Sequence, residues 1–305
     1  AVKQIADGAE QPGLVWMTGS QNFKVMEGVR ESLAGRVAIL NLFGLSDEEK
    51  RLEARDPGAY FEAMLRSTLP RLCHVSDARA RDLYLASYSK TYIERDVREL
   101  LRIDKRREFE LFLRLCAART ACVVNYDELA RETGVTASTV RSWLGVLEDS
   151  FLIYLAKPEH RNRSKRLTKS PKLYFLDAGL AAHLSGWHSA DAVRYGPQAG
   201  ALFETHMLAE ILKAYRHRAM EVEVRFWRTR DGEEIDFLVE SLGVVRPVEV
   251  KVGMPSARAL PRLDRIAESH WRDGQVVTLA LEQARTLSER WRALPPHELH
   301  LGVTL

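Results

Sequence analysis

The stretch that most constrains this chain runs from 233 to 251 and reads EEIDFLVESLGVVRPVEVK. IDFLV and VVRPVEV have the length and composition of buried strands, yet each carries an acid, Asp236 and Glu249. A carboxylate inside an apolar strand is costly unless it meets a cation or hydrogen-bond donors. Glu249 and Lys251 lie two apart and so share one face of their strand, and a β-hairpin brings both to Asp236. Two hard carboxylates can hold Mg²⁺ with several waters, and a lysine beside the metal can orient water and offset charge on a phosphate. Glu204, in ALFETHMLAE on the preceding predicted helix, supplies a third oxygen ligand. An isolated E-x-K is usually a solvated pair on an amphipathic strand; here the apolar residues on both sides argue for a buried site.

The second constraint is Tyr126 to Glu148, YDELARETGVTASTVRSWLGVLE. Its spacing predicts a helix, a turn at Thr133-Gly134-Val135 and a second helix opened by Thr136. Ala130, Gly134 and Val140 fall where a helix-turn-helix needs a small contact residue, a turn glycine and an apolar lock. A strand, Phe151 to Ala156, follows, and then a basic stretch from His160 to Lys172 with no acid, which together read as a winged helix. Thr136, Ser138, Thr139, Arg141 and Ser142 would face a major groove, and Arg161, Arg163, Lys165, Arg166, Lys169 and Lys172 would track phosphates. The competing reading is a protein-packing module with a solvated charged face. A formal charge of only +3 means that a nucleic-acid role must rest on such a local patch.

Elsewhere, Gly13 to Met17 and Val37 to Leu42 read as strands flanking a helix at 23–33, and 47–115 reads as mostly helical. After Pro171 the pattern predicts strands at 173–176, 222–227, 235–239, 244–250 and 276–280, with helices at 201–215, 257–268 and 282–292. A chain of 305 residues, 46% hydrophobic and 29% charged, has enough apolar material for two or three cores. Three cysteines with no C-x-x-C pair, no apolar run long enough for a membrane span and no secretory leader give the expectation of a cytoplasmic protein. H-E-L-H at 297–300 has the wrong spacing for a zinc-protease helix and follows Pro295-Pro296.

Glu204, Asp236 and Glu249-Val250-Lys251 resemble the helical acid, strand acid and E-x-K of the PD-(D/E)XK nuclease superfamily. Over most of the chain, MTGSQNF, ESLAGRVAIL, YIERDVREL, ELARETGVTASTV, KRLTKSPKLYFLDAGLA, LFETHMLAEILK and WRTRDGEEIDFLVE through VEVK resemble a prokaryotic family of AAA-type ATPases with a carboxy-terminal domain of unknown function. The resemblance implies a multidomain α/β and α+β chain. Its parts are a remnant of a AAA ATPase core at 1–55, a helical connector at 56–115, a winged helix-turn-helix at 116–168 and a PD-(D/E)XK restriction-endonuclease-like domain at 169–305. It also implies DNA as partner, with a protein partner or self-association besides, Mg²⁺ or Mn²⁺ as cofactor, and catalytic roles for Asp236, Glu249 and Lys251. Arg36 is then a nucleotide-sensing residue of the remnant. No G-x-x-x-x-G-K-[ST] occurs, so ATP is not expected to bind, and the chain reads as beginning inside the ATPase core. The function implied is a DNA-binding protein with a metal-dependent phosphodiesterase site; the alternative is a catalytically inactive nuclease-fold module working with a partner ATPase.

Overall fold

A computed structural model describes residues 11, 13–17, 37–52, 56–91, 105–159, 170–229, 232–256, 259–271 and 273–299. The helical stretch comprises α1 (Pro57–Leu65), a 3-10 turn (Pro70–His74), α2 (Ala78–Tyr88) and α3 (Arg106–Ala118). Asp56 starts α1 by accepting from Ala59 N, with Pro57 in the first turn, and Asp77 does the same for α2 by accepting from Arg79 N. Phe109, Phe112, Leu113 and Cys116 recur at helical spacing on α3 and are buried.

Next come β1 (Cys122–Val123), α4 (Tyr126–Thr133) and α5 (Ala137–Asp149), the two helices expected from the 126–148 pattern. Asn125 and Thr136 cap them by accepting from Glu128 N and Thr139 N. Gly134 makes the turn at φ 70°, a left-handed conformation that a side chain would strain. Trp143 of α5 locks this pair onto α3, its ring 5.2 and 5.1 Å from those of Phe109 and Phe112.

The chain continues through β2 (Ile153–Pro158), β3 (Lys172–Phe175), α6 (Ala178–Leu184), α7 (Ala190–Arg194) and α8 (Ala199–Arg216). It ends with β4 (Glu223–Arg228), β5 (Glu234–Ser241), β6 (Val244–Lys251), α9 (Ala259–His270), β7 (Gly274–Thr278), β8 (Arg285–Thr286) and β9 (Trp291–Leu294). All nine described strands join one mixed sheet in the order β1-β3-β2-β4-β5-β6-β7-β9-β8. Neighbours are antiparallel except β2/β4, β6/β7 and β7/β9. Val248, Val250 and Val277 enter a large core shared with α3, α5, α6 and α8, whereas Val276, between them in register, enters a smaller core with Leu263 of α9. Alternation therefore places the two cores on opposite faces of the sheet.

Three expectations are corrected. Residues 13–17 and 37–42 form no strand; Leu14 to Met17 are exposed, Trp16 by 86%, and no described strand offers them a ladder. The helix expected at 282–292 is replaced by β8 and β9, because Trp291 pairs in register with Gly274, whose missing Cβ leaves room for the indole. That tertiary fit overrides local helical periodicity. Of the segment 1–55 expected to be an ATPase-core remnant, the structure describes only 11, 13–17 and 37–52; Arg36 and the expected 23–33 helix lie outside the described residues. No helix among the described residues is long and apolar enough to cross a membrane.

Candidate functional site

Between β4 and β5 the register slips by one residue: Arg225 pairs with Leu238, but Trp227 pairs with Ile235. Asp236 and Phe237 together therefore oppose the single Phe226, a β-bulge. Its effect shows in the cores. Ile235 and Leu238, which strict alternation would send to opposite faces, both enter the smaller core, and Phe237 enters the larger one. The bulge holds the Asp236 carboxylate inside the sheet, where Val250 N of β6 donates to Oδ2 at 2.9 Å.

On β6, Glu249 is 2% exposed and its Oε1 lies 2.8 Å from Lys251 Nζ and 3.4 Å from Arg262 of α9. The same ammonium reaches Asp236 Oδ2 at 3.5 Å. The hairpin thus brings Asp236, Glu249 and Lys251 together, with the Lys251 side chain 42% exposed at the mouth. Glu204 of α8 joins them only through an intermediary. Its Oε1 accepts from Lys172 Nζ at 2.7 Å and from the Tyr174 hydroxyl at 2.5 Å, and Lys172 also reaches Glu234 at 2.6 Å and Asp236 at 3.9 Å.

These acids are crowded. Burial raises the Glu204 carboxyl to about 8, and the Asp236 charge adds to the rise against the opposing pull of Lys172 and Tyr174. Burial and Asp236 likewise raise Glu249 to about 7, against Lys251 and Arg262. A like-charged group of buried oxygens is what a hard divalent cation relieves, and Asp236 and Glu249 are oxygen donors of the kind such an ion takes, whereas Glu204 is held away from them by Lys172. The residues therefore fit Mg²⁺ or Mn²⁺ by donor chemistry, with Asp236 and Glu249 as holders and Glu204 behind Lys172.

One expected phosphate contact is corrected. Lys172 is 5% exposed and bonded to two carboxylates, so it belongs to the acid cluster rather than to a phosphate-tracking loop. Arg161, Arg163, Lys165, Arg166 and Lys169 lie outside the described residues. At the start of α5, Thr136, Ser138, Arg141 and Ser142 are exposed and Thr139 is half-buried. The Arg141 guanidinium stacks 4.4 Å above the Tyr126 ring, and the Thr136 hydroxyl is engaged with Ser138 and Thr139 at 2.8 Å each.

Sequence reasoning missed Tyr174 and Glu234. Lys172 and Tyr174 share a strand face, and that alternation inside the apolar KLYF run was the available signal for an inward-facing pair.

A family model described as a domain of unknown function, DUF8612, matches residues 58–191, and a second, DUF4143, matches residues 199–299. The site draws on both, with Lys172 and Tyr174 in the first and the four acids in the second. Uncharacterized proteins of Mycobacterium bovis and Mycobacterium tuberculosis are each 27% identical over 303 residues, or 98% of this chain. The chain spans 65% of the length of each of these relatives. No solved structure matches it.

Proposed function

We propose that the chain engages DNA and that Asp236, Glu249 and Lys251, backed by Glu204, form a PD-(D/E)XK-type site for Mg²⁺-dependent phosphodiester hydrolysis. The observation that carries this reading is the bulge-held Asp236 sharing one exposed ammonium, Lys251, with a buried Glu249. A bound divalent cation would supply Lewis acidity to a phosphate oxygen. Asp236 and Glu249 provide its oxygen ligands, and Lys251, at the solvent edge, orients water or offsets phosphate charge. The α4–α5 pair followed by the antiparallel strands β2 and β3 has the order of a winged helix, and in this reading the exposed start of α5 meets a groove while the basic residues between 160 and 169 meet phosphates. In this reading the chain is the carboxy-terminal part of a AAA-type ATPase family protein.

A second reading is favoured by the two lysines. Lys172 and Lys251 already neutralise much of the acid cluster, as in a nuclease fold retained for binding or regulation beside a partner ATPase.

The test is incubation with plasmid and with single-stranded DNA in Mg²⁺, Mn²⁺ or EDTA. Metal-dependent cleavage that Asp236→Asn and Lys251→Ala both abolish supports hydrolysis, whereas DNA binding without cleavage, and no rise in Tm with Mn²⁺, supports the second reading. Replacing Arg163, Lys165 and Arg166 together should flatten the salt dependence of binding by up to about three log units per log unit of salt, at roughly 0.9 per phosphate contact. Calorimetry should detect no ATP binding; a low-micromolar dissociation constant would overturn that expectation.

A further inference from the structure

Away from the acid cluster, α2, α6 and the turn before α7 bring two imidazoles to one carboxylate. Asp82 projects from α2, His183 from the last turn of α6, and His188 from five residues further on. His188 Nδ1 lies 3.3 Å from Asp82 Oδ2 and His183 Nδ1 lies 3.9 Å from Oδ1. The two rings stand edge to face with centroids 5.5 Å apart, and one ligand atom from each of the three residues falls within 4.8 Å of the others. His183 Nδ1 is buried and has no hydrogen-bond partner, an unsatisfied donor or acceptor that folding should not leave without a reason.

We propose that Asp82, His183 and His188 form a site for a first-row divalent ion such as Zn²⁺. Zinc bonds of about 2.0–2.2 Å set tetrahedral ligand atoms about 3.3 Å apart. The His188–Asp82 Oδ2 spacing already has that length, while His183, 3.9 Å from the other carboxylate oxygen and within 4.8 Å of the remaining ligand atoms, has to move in to complete the set. Mixed imidazole and carboxylate donors select Zn²⁺, Co²⁺ or Fe²⁺ over Mg²⁺, which takes oxygen alone.

Arg81 is the supporting residue. Its guanidinium donates to the His188 carbonyl at 3.0 Å, approaches Asp82 at 3.6 Å and is itself offset by Glu62 at 3.5 Å. His188 lines two surface cavities, one shared with Arg81 and Asp191 and the other with His183, Ser185 and Arg114, so the site has an open side. Three protein ligands and an open side are the pattern of an ion that works on something bound beside it rather than one that only braces the fold.

The test is Co²⁺ titration of the full chain carrying Asp236→Asn, which removes a principal oxygen ligand of the acid cluster, followed by visible absorption and Zn²⁺ competition. One equivalent of Co²⁺ with the spectrum of a four-coordinate ion, displaced by Zn²⁺ and not by excess Mg²⁺, is the expected result. His188 is 52% exposed, so His188→Ala removes a ligand with little risk to folding. It should weaken binding by more than the ~10–100-fold that supporting residues contribute, and Asp82→Asn should do the same. Absence of Co²⁺ binding at micromolar concentrations, or binding indifferent to both substitutions, overturns the proposal.

Discussion

Helix α8 carries two buried clusters of charge that behave in opposite ways. Toward β3 and β5 it presents Glu204, whose carboxyl and that of Glu249 are driven up by burial and by Asp236. Two residues along, His206 opens a cluster toward residues 45–50. There His206 Nε2 meets Asp47 Oδ2 at 2.9 Å, the Tyr60 hydroxyl donates to the same oxygen at 2.9 Å, and Lys50 lies 3.0 Å from Oδ1. Lys213 pairs with Glu210 and donates to the Leu45 carbonyl at 3.0 Å, while Glu210 accepts from Asp47 N at 2.9 Å. Burial alone would raise Asp47, yet His206 and Lys50 hold it far below the usual carboxylate range.

One cluster is thus a clamp in which each charge has an opposite, and the other crowds more carboxyls than cations, so that two of them hold protons well above the ordinary carboxylate range. Local conflict retained inside an otherwise consistent fold is where function is to be sought.

The widest separation between the clusters should come from Lys213→Ala. It strips a 1%-exposed lysine from Glu210 and Leu45, and removing one partner of a buried pair costs about 3–5 kcal/mol. Urea unfolding that registers less than about 1 kcal/mol would show that the clamp is loose.

A matched pair of tyrosines sharpens the contrast. Tyr60→Phe removes a hydrogen bond to the ionised Asp47 and should cost about 1.5–3 kcal/mol. Tyr174→Phe removes one to Glu204, a carboxyl that is mostly protonated at neutral pH, and should cost about 0.5–1.5 kcal/mol. Equal losses in denaturant titrations would erase the distinction.

The acid cluster should also have its own pH signature. Because the folded Glu204 and Glu249 carboxyls titrate above the ordinary value of 4.5, the unfolded chain releases their protons first. Stability from these groups therefore falls as pH rises from about 4.5 through about 8, and is flat on either side. Glu204→Gln should reduce that fall by up to a few kcal/mol, at about 1.4 kcal/mol per pH unit, and keep an acceptor for Lys172 and Tyr174. A Glu204→Gln protein whose metal-free stability parallels wild type from pH 5 to 9 would sink this account.

The smallest effect on stability belongs to Asp236→Asn. It relieves Glu204 and Glu249 of a like charge while retaining an acceptor for Val250 N, so unfolding at pH 8 should shift by under about 1 kcal/mol in either direction. It should nonetheless abolish the rise in Tm with Mn²⁺.

The reach of the sequence follows from the range of the interactions. Asp236, Glu249 and Lys251 were legible because strand alternation and a hairpin are local rules, and α4 and α5 because caps and a left-handed glycine act over a few residues. The bulge was not legible, since it appears only when β5 is laid against β4. Lys172 read as the end of a basic run because nothing in its neighbours announces Glu204, 32 positions ahead. Asp82 with His183 and His188, and Asp47 with His206, span still longer separations and leave no periodic trace. Residues 13–17 and 37–42 are apolar enough for strands, but a strand exists only where another lends it a ladder.

The sheet also has a mechanical grain. Where β2 meets β4 the ladder is two residue pairs long, Lys157 with Arg225 and Pro158 with Phe226, and a proline has no amide to contribute. This thin seam separates the strands nearest α4 and α5 from those that hold Asp236 and Glu249. Arg225 rivets it, gripping Glu159 from one side and Glu223 and Glu240 from the other, and the Tyr154 hydroxyl spans it to the Val224 backbone. A load arriving through α4 and α5 would reach the acid cluster by two routes, as shear across those few fasteners and through Lys172 and Tyr174 of β3, which reach Glu204 and Asp236 directly.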